Sequence, residues 1–189
     1  MNRLHRWYCH SDRWATALQT LMPWVLRDVA PGDDVLEIGP GPGLTTDSLR
    51  YWAPKLTAIE IDHVLANTLR ARMTGTNVQV VTGDATVMPF GEGRFSSVVS
   101  FTMLHHVPSA DQQDQVLAEV HRVLRPGGTF AGSDSTGSFV FRLAHLFDTM
   151  VMVDPDSFGT RLEAAGFVDA DVLRAEGAFR FRATRPSAV

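Results

Sequence analysis

Glycine occupies positions 39, 41 and 43, with Pro40 and Pro42 between them, directly after a short apolar run and directly before an amphipathic stretch. Three glycines let a backbone turn tightly and approach a ligand without side-chain obstruction. The segment therefore reads as a strand, a ligand-facing loop and a helix, and the rest of the chain repeats that alternation. Residues 34–38, 56–61, 78–81, 95–101 and 129–132 read as strands, the fourth rich in β-branched residues, and residues 44–52 and 63–73 as helices. Ser109-Ala110-Asp111-Gln112 has the form of a capping box, so a helix is expected to start there. Its buried stripe would be Val116, Val120, Val123 and Leu124, and Arg125-Pro126-Gly127-Gly128 would end it.

The two ends differ from this alternation. Residues 1–30 read as a helical N-terminal extension, with Trp14, Leu18, Leu21 and Val25 on one stripe and Pro23 expected to break or kink it. Residues 157–165 read as a helix, and residues 167–173 and 178–184 as two strands joined by Ala175-Glu176-Gly177, which implies a closing antiparallel hairpin. Alternating strands and helices predict an α/β fold.

A chain of 189 residues with 44% hydrophobic and 20% charged residues suits one domain spanning residues 1–189. At this size roughly 70% of the unfolded surface is buried, so neither disulfide nor metal is needed for stability. Cys9 is the only cysteine, which excludes an internal disulfide and a cysteine-paired zinc site, and a reducing, cytoplasmic location is expected. Neither a signal peptide nor an apolar run near ~20 residues is visible, so no membrane span is expected. The net charge of −4 disfavours a nucleic-acid partner. Arg174, Arg180, Arg182 and Arg185 gather near the C-terminus but alternate along the last strands, and they read as a solvated face.

The chemistry converges on the glycine loop. Glu60 ends the second strand 21 residues after Gly39, the separation at which a carboxylate can meet ribose hydroxyls. A dinucleotide diphosphate favours G-x-G-x-x-G with free backbone donors. Here the spacing is G-x-G-x-G, Pro40 and Pro42 remove two donors, and Glu37 brings a negative charge to the loop's entrance. These choices suit a cationic ligand better than a diphosphate. Asp62 shares a strand face with Glu60 and is the alternative ribose ligand or a cap for the next helix; Glu60 is favoured.

Val35-Leu36-Glu37-Ile38-Gly39-Pro40-Gly41-Pro42-Gly43 resembles the first motif of the class I S-adenosylmethionine-dependent methyltransferases, in particular their small-molecule branch. Leu56-Thr57-Ala58-Ile59-Glu60-Ile61-Asp62 is similar to the second motif, and Gly83-Asp84-Ala85 to the segment that meets the adenine. The segment from Ser100 to Val107, with Val123-Leu124-Arg125-Pro126-Gly127-Gly128, resembles the later motifs. The resemblance covers roughly residues 30 to 174. It implies a Rossmann-like doubly wound sheet of seven strands, the last inserted antiparallel beside the fifth. S-adenosylmethionine would be the cofactor, held by Glu37, Gly39, Gly41, Gly43, Glu60, Ile61, Asp84, Ala85 and Ser100. The expected activity is methyl transfer to a small, lipophilic acceptor.

Two other functions share these features: a non-catalytic S-adenosylmethionine-binding module, and a nicotinamide-dependent oxidoreductase, which should carry the diphosphate loop this chain lacks. No catalytic residue is assigned, because positioning alone can lower much of the barrier to methyl transfer. His105 and His106 have the chemistry for a metal site or a general base, but adjacent residues point apart and no third ligand has metal-site spacing, and the resemblance implies that they line the cofactor pocket. The apolar set Phe139, Phe141, Leu143, Leu146, Phe147, Met150 and Met152 suits either an acceptor pocket or a packed helix, and a homodimer is left open. Trp7, Tyr8, Trp14 and Trp24 belong to residues 1–30, read as a lid over a core of residues 31–189.

Overall fold

The computed structural model describes residues 12–137 and 150–187, with the backbone alone for residues 12–15. Helix α1 (Asp12–Val25) precedes β1 (Val35–Ile38), α2 (Leu44–Trp52), β2 (Leu56–Glu60), α3 (His63–Arg72), β3 (Val78–Thr82) and β4 (Phe95–Phe101). A 3-10 turn (Leu104–His106) leads to α4 (Ala110–Val123), β5 (Leu124–Ser135), α5 (Pro155–Ala164), β6 (Val168–Ala175) and β7 (Ala178–Thr184). The strands form one seven-stranded sheet in the order β3-β2-β1-β4-β5-β7-β6. Strands β1 to β5 pair in parallel, and β7 lies antiparallel between β5 and β6.

Strand alternation assigns the two faces. Val35, Leu56, Val99 and Phe101 pack with Leu18, Met22 and Val25 of α1 and Leu49 of α2, while Ala58 and Val80 pack with Ala66 and Leu69 of α3. The residues one step along, Leu36, Ile38, Ile59, Val98 and Phe130, face the other way and meet Val116, Leu117 and Val120 of α4 and Phe158 and Leu162 of α5. Phe179 and Phe181 of β7 complete that second layer, each with a ring centroid within 6 Å of Phe158. Both faces being covered explains the near-continuous apolar runs of β1, β2 and β4.

Three expectations are corrected. Pro23 lies in the last turn of α1, where it removes one donor without breaking the helix, and Leu26 N–H still reaches Met22 O at 2.9 Å. The buried stripe of α1 is Leu18, Met22 and Val25, with Leu21 only partly buried. The fifth strand begins at Leu124, because Arg125 to Gly128 form an irregularity between the pairings Phe95↔Leu124 and Ser97↔Thr129 instead of a free turn.

Of the four C-terminal arginines only Arg174, with a side chain 52% exposed, keeps to a solvated face; the other three are engaged by the fold. Arg180 Nη1 donates to Trp24 O at 2.7 Å in the last turn of α1, and Arg182 Nη1 to Asp28 O at 3.3 Å in the turn that follows it. Arg185 Nη1 donates to Arg122 O and Leu124 O at the end of α4, and Arg174 pairs with Asp156 at 2.5 Å. Guanidinium groups near helix C-termini satisfy carbonyls left without helical partners.

Candidate functional site

The strand order reverses direction between β1 and β4, and in an open parallel sheet a crevice forms at the carboxyl ends of such a pair. The chain leaves β1 through the glycine loop and β4 through Thr102 and Met103. Thr102 has φ +51°, and Met103 lies so close to Gly39 that any Cβ there would overlap its side chain. Gly39 is thus a close-approach residue between two chain segments. Gly41 differs: its φ is +55° and nothing lies within 4 Å of the place a Cβ would take. Gly43, at the N-cap of α2 with φ +84°, has Leu69 and Arg72 of α3 where its Cβ would stand, so its smallness serves helix packing.

Every N–H of the loop is used or absent. Gly39 N–H donates to Ile59 O, Gly41 N–H to Glu60 Oε2 and Gly43 N–H to Pro40 O, each at 2.9 Å. Pro40 and Pro42 have no N–H. A diphosphate would thus find no free backbone donor between residues 39 and 43, so the loop is closed to the contact that defines dinucleotide binding at this place in the fold.

Glu60 is 6% exposed at the end of β2. Its Oε2 accepts from Gly41 N–H and its Oε1 from Asp62 N–H, both at 2.9 Å, which fixes the carboxylate beside the open face of Gly41. Burial raises its pKa, and the two backbone donors act in the opposite sense. Each oxygen keeps lone-pair capacity for a hydroxyl donor. Asp62 is the N-cap of α3: its Oδ1 accepts from Val64 N–H at 2.8 Å and Leu65 N–H at 3.1 Å. Ile61, between them, is 63% exposed, an apolar surface next to the buried carboxylate.

Glu37 stands behind the loop and not at its entrance. It is 1% exposed, and its oxygens accept from Thr45 Oγ1 and, at 2.6 Å, Thr46 Oγ1 in the first turn of α2. Burial pushes its pKa up to about 7, against the pull of the two threonine hydroxyls. A carboxyl whose folded pKa lies above its unfolded value is held more tightly as the neutral acid. Its destabilisation is absent below about pH 4.5, grows through the window to about 7 and is complete above it. The shift corresponds to roughly 3 kcal/mol. Glu37→Gln should therefore be more stable than the wild type at pH 8 and nearly equal to it at pH 5, read by urea unfolding at both pH values. Equal gains at both would assign the effect to packing instead of charge.

Asp84 is exposed after Gly83 and closes a local turn, its Oδ1 accepting from Thr86 N–H and Thr86 Oγ1 at 2.8 Å. Ala85 is partly buried against the core under α4. Ser100 is fully buried in β4, in register with Ile38 and Gly132, and its Oγ has no hydrogen-bond partner among the described residues. Gly39, Gly41, Glu60 and Ile61 thus lie together at the carboxyl ends of β1 and β2, Asp84 and Ala85 follow the end of β3, and Glu37, Gly43 and Ser100 are buried behind them.

Four contributors were missed in the sequence. Thr45 and Thr46 hold Glu37, and Met103 covers Gly39. Arg72, at the end of α3, donates through Nη2 to Pro42 O at 2.7 Å and pairs through Nη1 with Asp47, fastening the loop from below. Only the capping pattern of Asp62 and the first-turn position of the threonines carried a local signal; Met103 and Arg72 act across tertiary contacts.

Phe139, Phe141, Leu143, Leu146 and Phe147, with Trp7, Tyr8 and the Trp14 side chain, lie outside the described residues. Among the described residues no helix is long and apolar enough to cross a membrane.

Residues 36–132 match a family model described as a methyltransferase domain. The chain is 35% identical over 103 residues to an uncharacterised methyltransferase of Synechocystis sp., covering 54% of this chain and 47% of that protein. It is 30% identical over 148 residues to the ribosomal RNA small subunit methyltransferase A of Leptothrix cholodnii, covering 70% of this chain and 54% of that one. The chain thus spans about half the length of these curated relatives or less. Its fold is similar to that of an S-adenosylmethionine-dependent methyltransferase from Aquifex aeolicus, with a TM-score of 0.77 at 17% identity over 98% of this chain and 99% of the other. With the model matching half of its length and the seven-stranded sheet in place, the chain belongs to the methyltransferase domain family, in its class I, S-adenosylmethionine-dependent form.

Proposed function

We propose that this chain transfers the methyl group of S-adenosylmethionine to a small, lipophilic acceptor, with the cofactor's ribose on Glu60 and its adenine beside Ile61, Asp84 and Ala85. The fit rests on three features: the open space over Gly41, the buried carboxylate next to it and a loop without free N–H groups for a diphosphate. When bound, the cofactor supplies an electrophilic methyl on a sulfonium. The residues of this chain hold it and orient the acceptor; a nucleophile on the protein is not required.

The observation that favours a small acceptor is the fate of the arginines. Arg180 and Arg185 have side chains only 16% and 15% exposed, and with Arg174 and Arg182 they are engaged by helix carbonyls and carboxylates. The net charge is −4, and with Arg180, Arg182 and Arg185 engaged by the fold the described C-terminal strands present no basic stripe for a phosphate backbone. Met103, Met150 and Met152, all partly buried near the carboxyl ends of the strands, offer polarisable apolar contacts. The similarity to a ribosomal RNA methyltransferase supports a second reading, an RNA acceptor.

Incubation with methyl-labelled S-adenosylmethionine, a cell-extract small-molecule fraction and a separate total-RNA fraction discriminates them. Label should enter the organic-soluble small molecules at least about tenfold above a no-enzyme control. Label confined to RNA would establish the second reading, and acceptor-independent binding without transfer would make the chain a binding module.

A further inference from the structure

Two buried carboxyl groups flank the glycine loop, Glu37 at 1% and Glu60 at 6% exposure, and among the described residues neither pairs with a cation. Their partners differ in kind. Glu60 accepts from the backbone N–H groups of Gly41 and Asp62, which only donate, so a proton on either of its oxygens would find no acceptor there. Glu37 accepts from the hydroxyls of Thr45 and Thr46, and a hydroxyl can turn to donate to a carboxylate or to accept from a carboxylic acid. Glu37 can therefore lose or regain a proton with both threonine hydrogen bonds kept. These partners suit an ionised Glu60 and a Glu37 that changes state.

The surroundings of Glu37 decide where that change occurs. Asp47 in the first turn of α2 and Glu60 at the end of β2 both oppose its ionisation. Arg72 of α3 is engaged by Asp47 and Pro42 O. Strands β2 and β4 set Ala58 and Val99 in register beside Glu37, and α1 meets the same face of the sheet through the apolar Leu18, Met22 and Val25. Among the described residues, ionisation is favoured by the two threonine hydroxyls and by the positive end of α2. Burial prevails and pushes the carboxyl up to about 7, so near neutral pH the protein holds both forms.

We propose that Glu37 exchanges its proton for the positive charge of the cofactor, so that the site's preference for S-adenosylmethionine over S-adenosylhomocysteine strengthens as the pH rises through neutrality. The proposal rests on the cofactor reading and gives that site a regulation by pH. S-adenosylmethionine carries a sulfonium, an ammonium and a carboxylate, a net charge of about +1, whereas the homocysteine product has lost the sulfonium charge and is neutral overall. In the exchange one cation enters, the Glu37 carboxylic acid becomes a carboxylate, and its proton leaves to solvent, so the charge of the site is unchanged. A unit charge about 10 Å away, in a medium of effective dielectric constant about 20, makes a carboxyl group roughly tenfold more acidic. Contact between Glu37 and the ligand is therefore not needed. Once the methyl group has been transferred the sulfonium is gone, Glu37 regains its proton, and the product lacks the contribution that held the substrate.

The test has two arms, neither of which measures turnover. Carbon-13 spectra of glutamate-labelled protein, with the Glu37 carboxyl assigned by its loss in Glu37→Gln, should show it titrating near pH 7 without ligand and at lower pH with S-adenosylmethionine. Calorimetric titrations with both ligands follow at pH 6 and pH 7.5, each in buffers of different ionisation enthalpy so that released protons are counted. The ribose and the α-amino group are common to the two ligands, so their protons cancel in the comparison. The affinity ratio of S-adenosylmethionine to S-adenosylhomocysteine should be about threefold lower at pH 6 than at pH 7.5, with more protons released by the sulfonium ligand. In Glu37→Gln, which keeps a donor and an acceptor for the two threonines, the ratio should not change with pH. Three results overturn the proposal and leave the cofactor reading intact: a Glu37 that titrates near 4.5 without ligand, a wild-type ratio independent of pH, or a pH dependence that survives in Glu37→Gln. Failure of both ligands to bind the folded wild type at either pH overturns the cofactor reading, and the proposal with it.

Discussion

Gly41→Val should abolish S-adenosylhomocysteine binding in a chain that still folds. At φ +55° a branched side chain is strained by roughly 1 to 3 kcal/mol, a fraction of the 5 to 15 kcal/mol that stabilise an ordinary domain. The native fold offers that side chain open space, with nothing within 4 Å of its Cβ, so no core contact is displaced. In the proposed cofactor site this open space is where the ligand would approach the backbone, and the neighbouring Glu60 carboxylate is tied to Gly41 N–H. Calorimetric titration should show at least a hundredfold loss of affinity beside a cooperative melt. Gly39→Val provides the contrast: its side chain collides with Met103, so it should lower stability first. Unchanged affinity in folded Gly41→Val would make the loop a plain connection.

The parts of this fold legible in the sequence are those in which local pattern and tertiary environment agree. The apolar runs of β1, β2 and β4 are buried on both faces, so their hydrophobicity is explicit, and Ser109 caps α4 through Gln112 N–H at 3.1 Å as its motif implies. Strand β5 was shortened because Pro126, Gly127 and Gly128 read as a stop, whereas the sheet absorbs them as an irregularity. The alternation of Arg180 and Arg182 with Phe179 and Phe181 is visible in the sequence, but the carbonyls of Trp24 and Asp28 that engage the arginines lie more than 150 positions away. Glu37 illustrates a limit of spacing arguments. It lies two residues before Gly39, yet strand alternation turns its side chain toward α2 and away from the loop's mouth. The Asp134 partner of His105 is 29 positions distant and carries no local signal.

Glu60 and Asp62 share a strand face in sequence, and the structure gives them different tasks. Asp62 caps α3 through two backbone N–H groups, so Asp62→Ala should cost about 1 kcal/mol of stability with little effect on the cofactor. Glu60 presents a carboxylate beside the open face of Gly41, where ribose hydroxyls would donate charge-assisted bonds of roughly 1.5 to 3 kcal/mol each, before losses from non-additivity. Glu60→Ala should weaken binding by at least about tenfold, which ~1.4 kcal/mol already provides. Glu60→Gln, keeping one acceptor and losing the charge, should fall between. The most direct measurement of the cofactor assignment is calorimetric titration of the wild type, Glu60→Ala and Asp62→Ala with S-adenosylhomocysteine, and of the wild type with a nicotinamide dinucleotide. The account predicts saturable S-adenosylhomocysteine binding that Glu60→Ala weakens and Asp62→Ala preserves, with no heat from the dinucleotide. Dinucleotide binding by the wild type, or a folded Asp62→Ala that loses more affinity than Glu60→Ala, would contradict it.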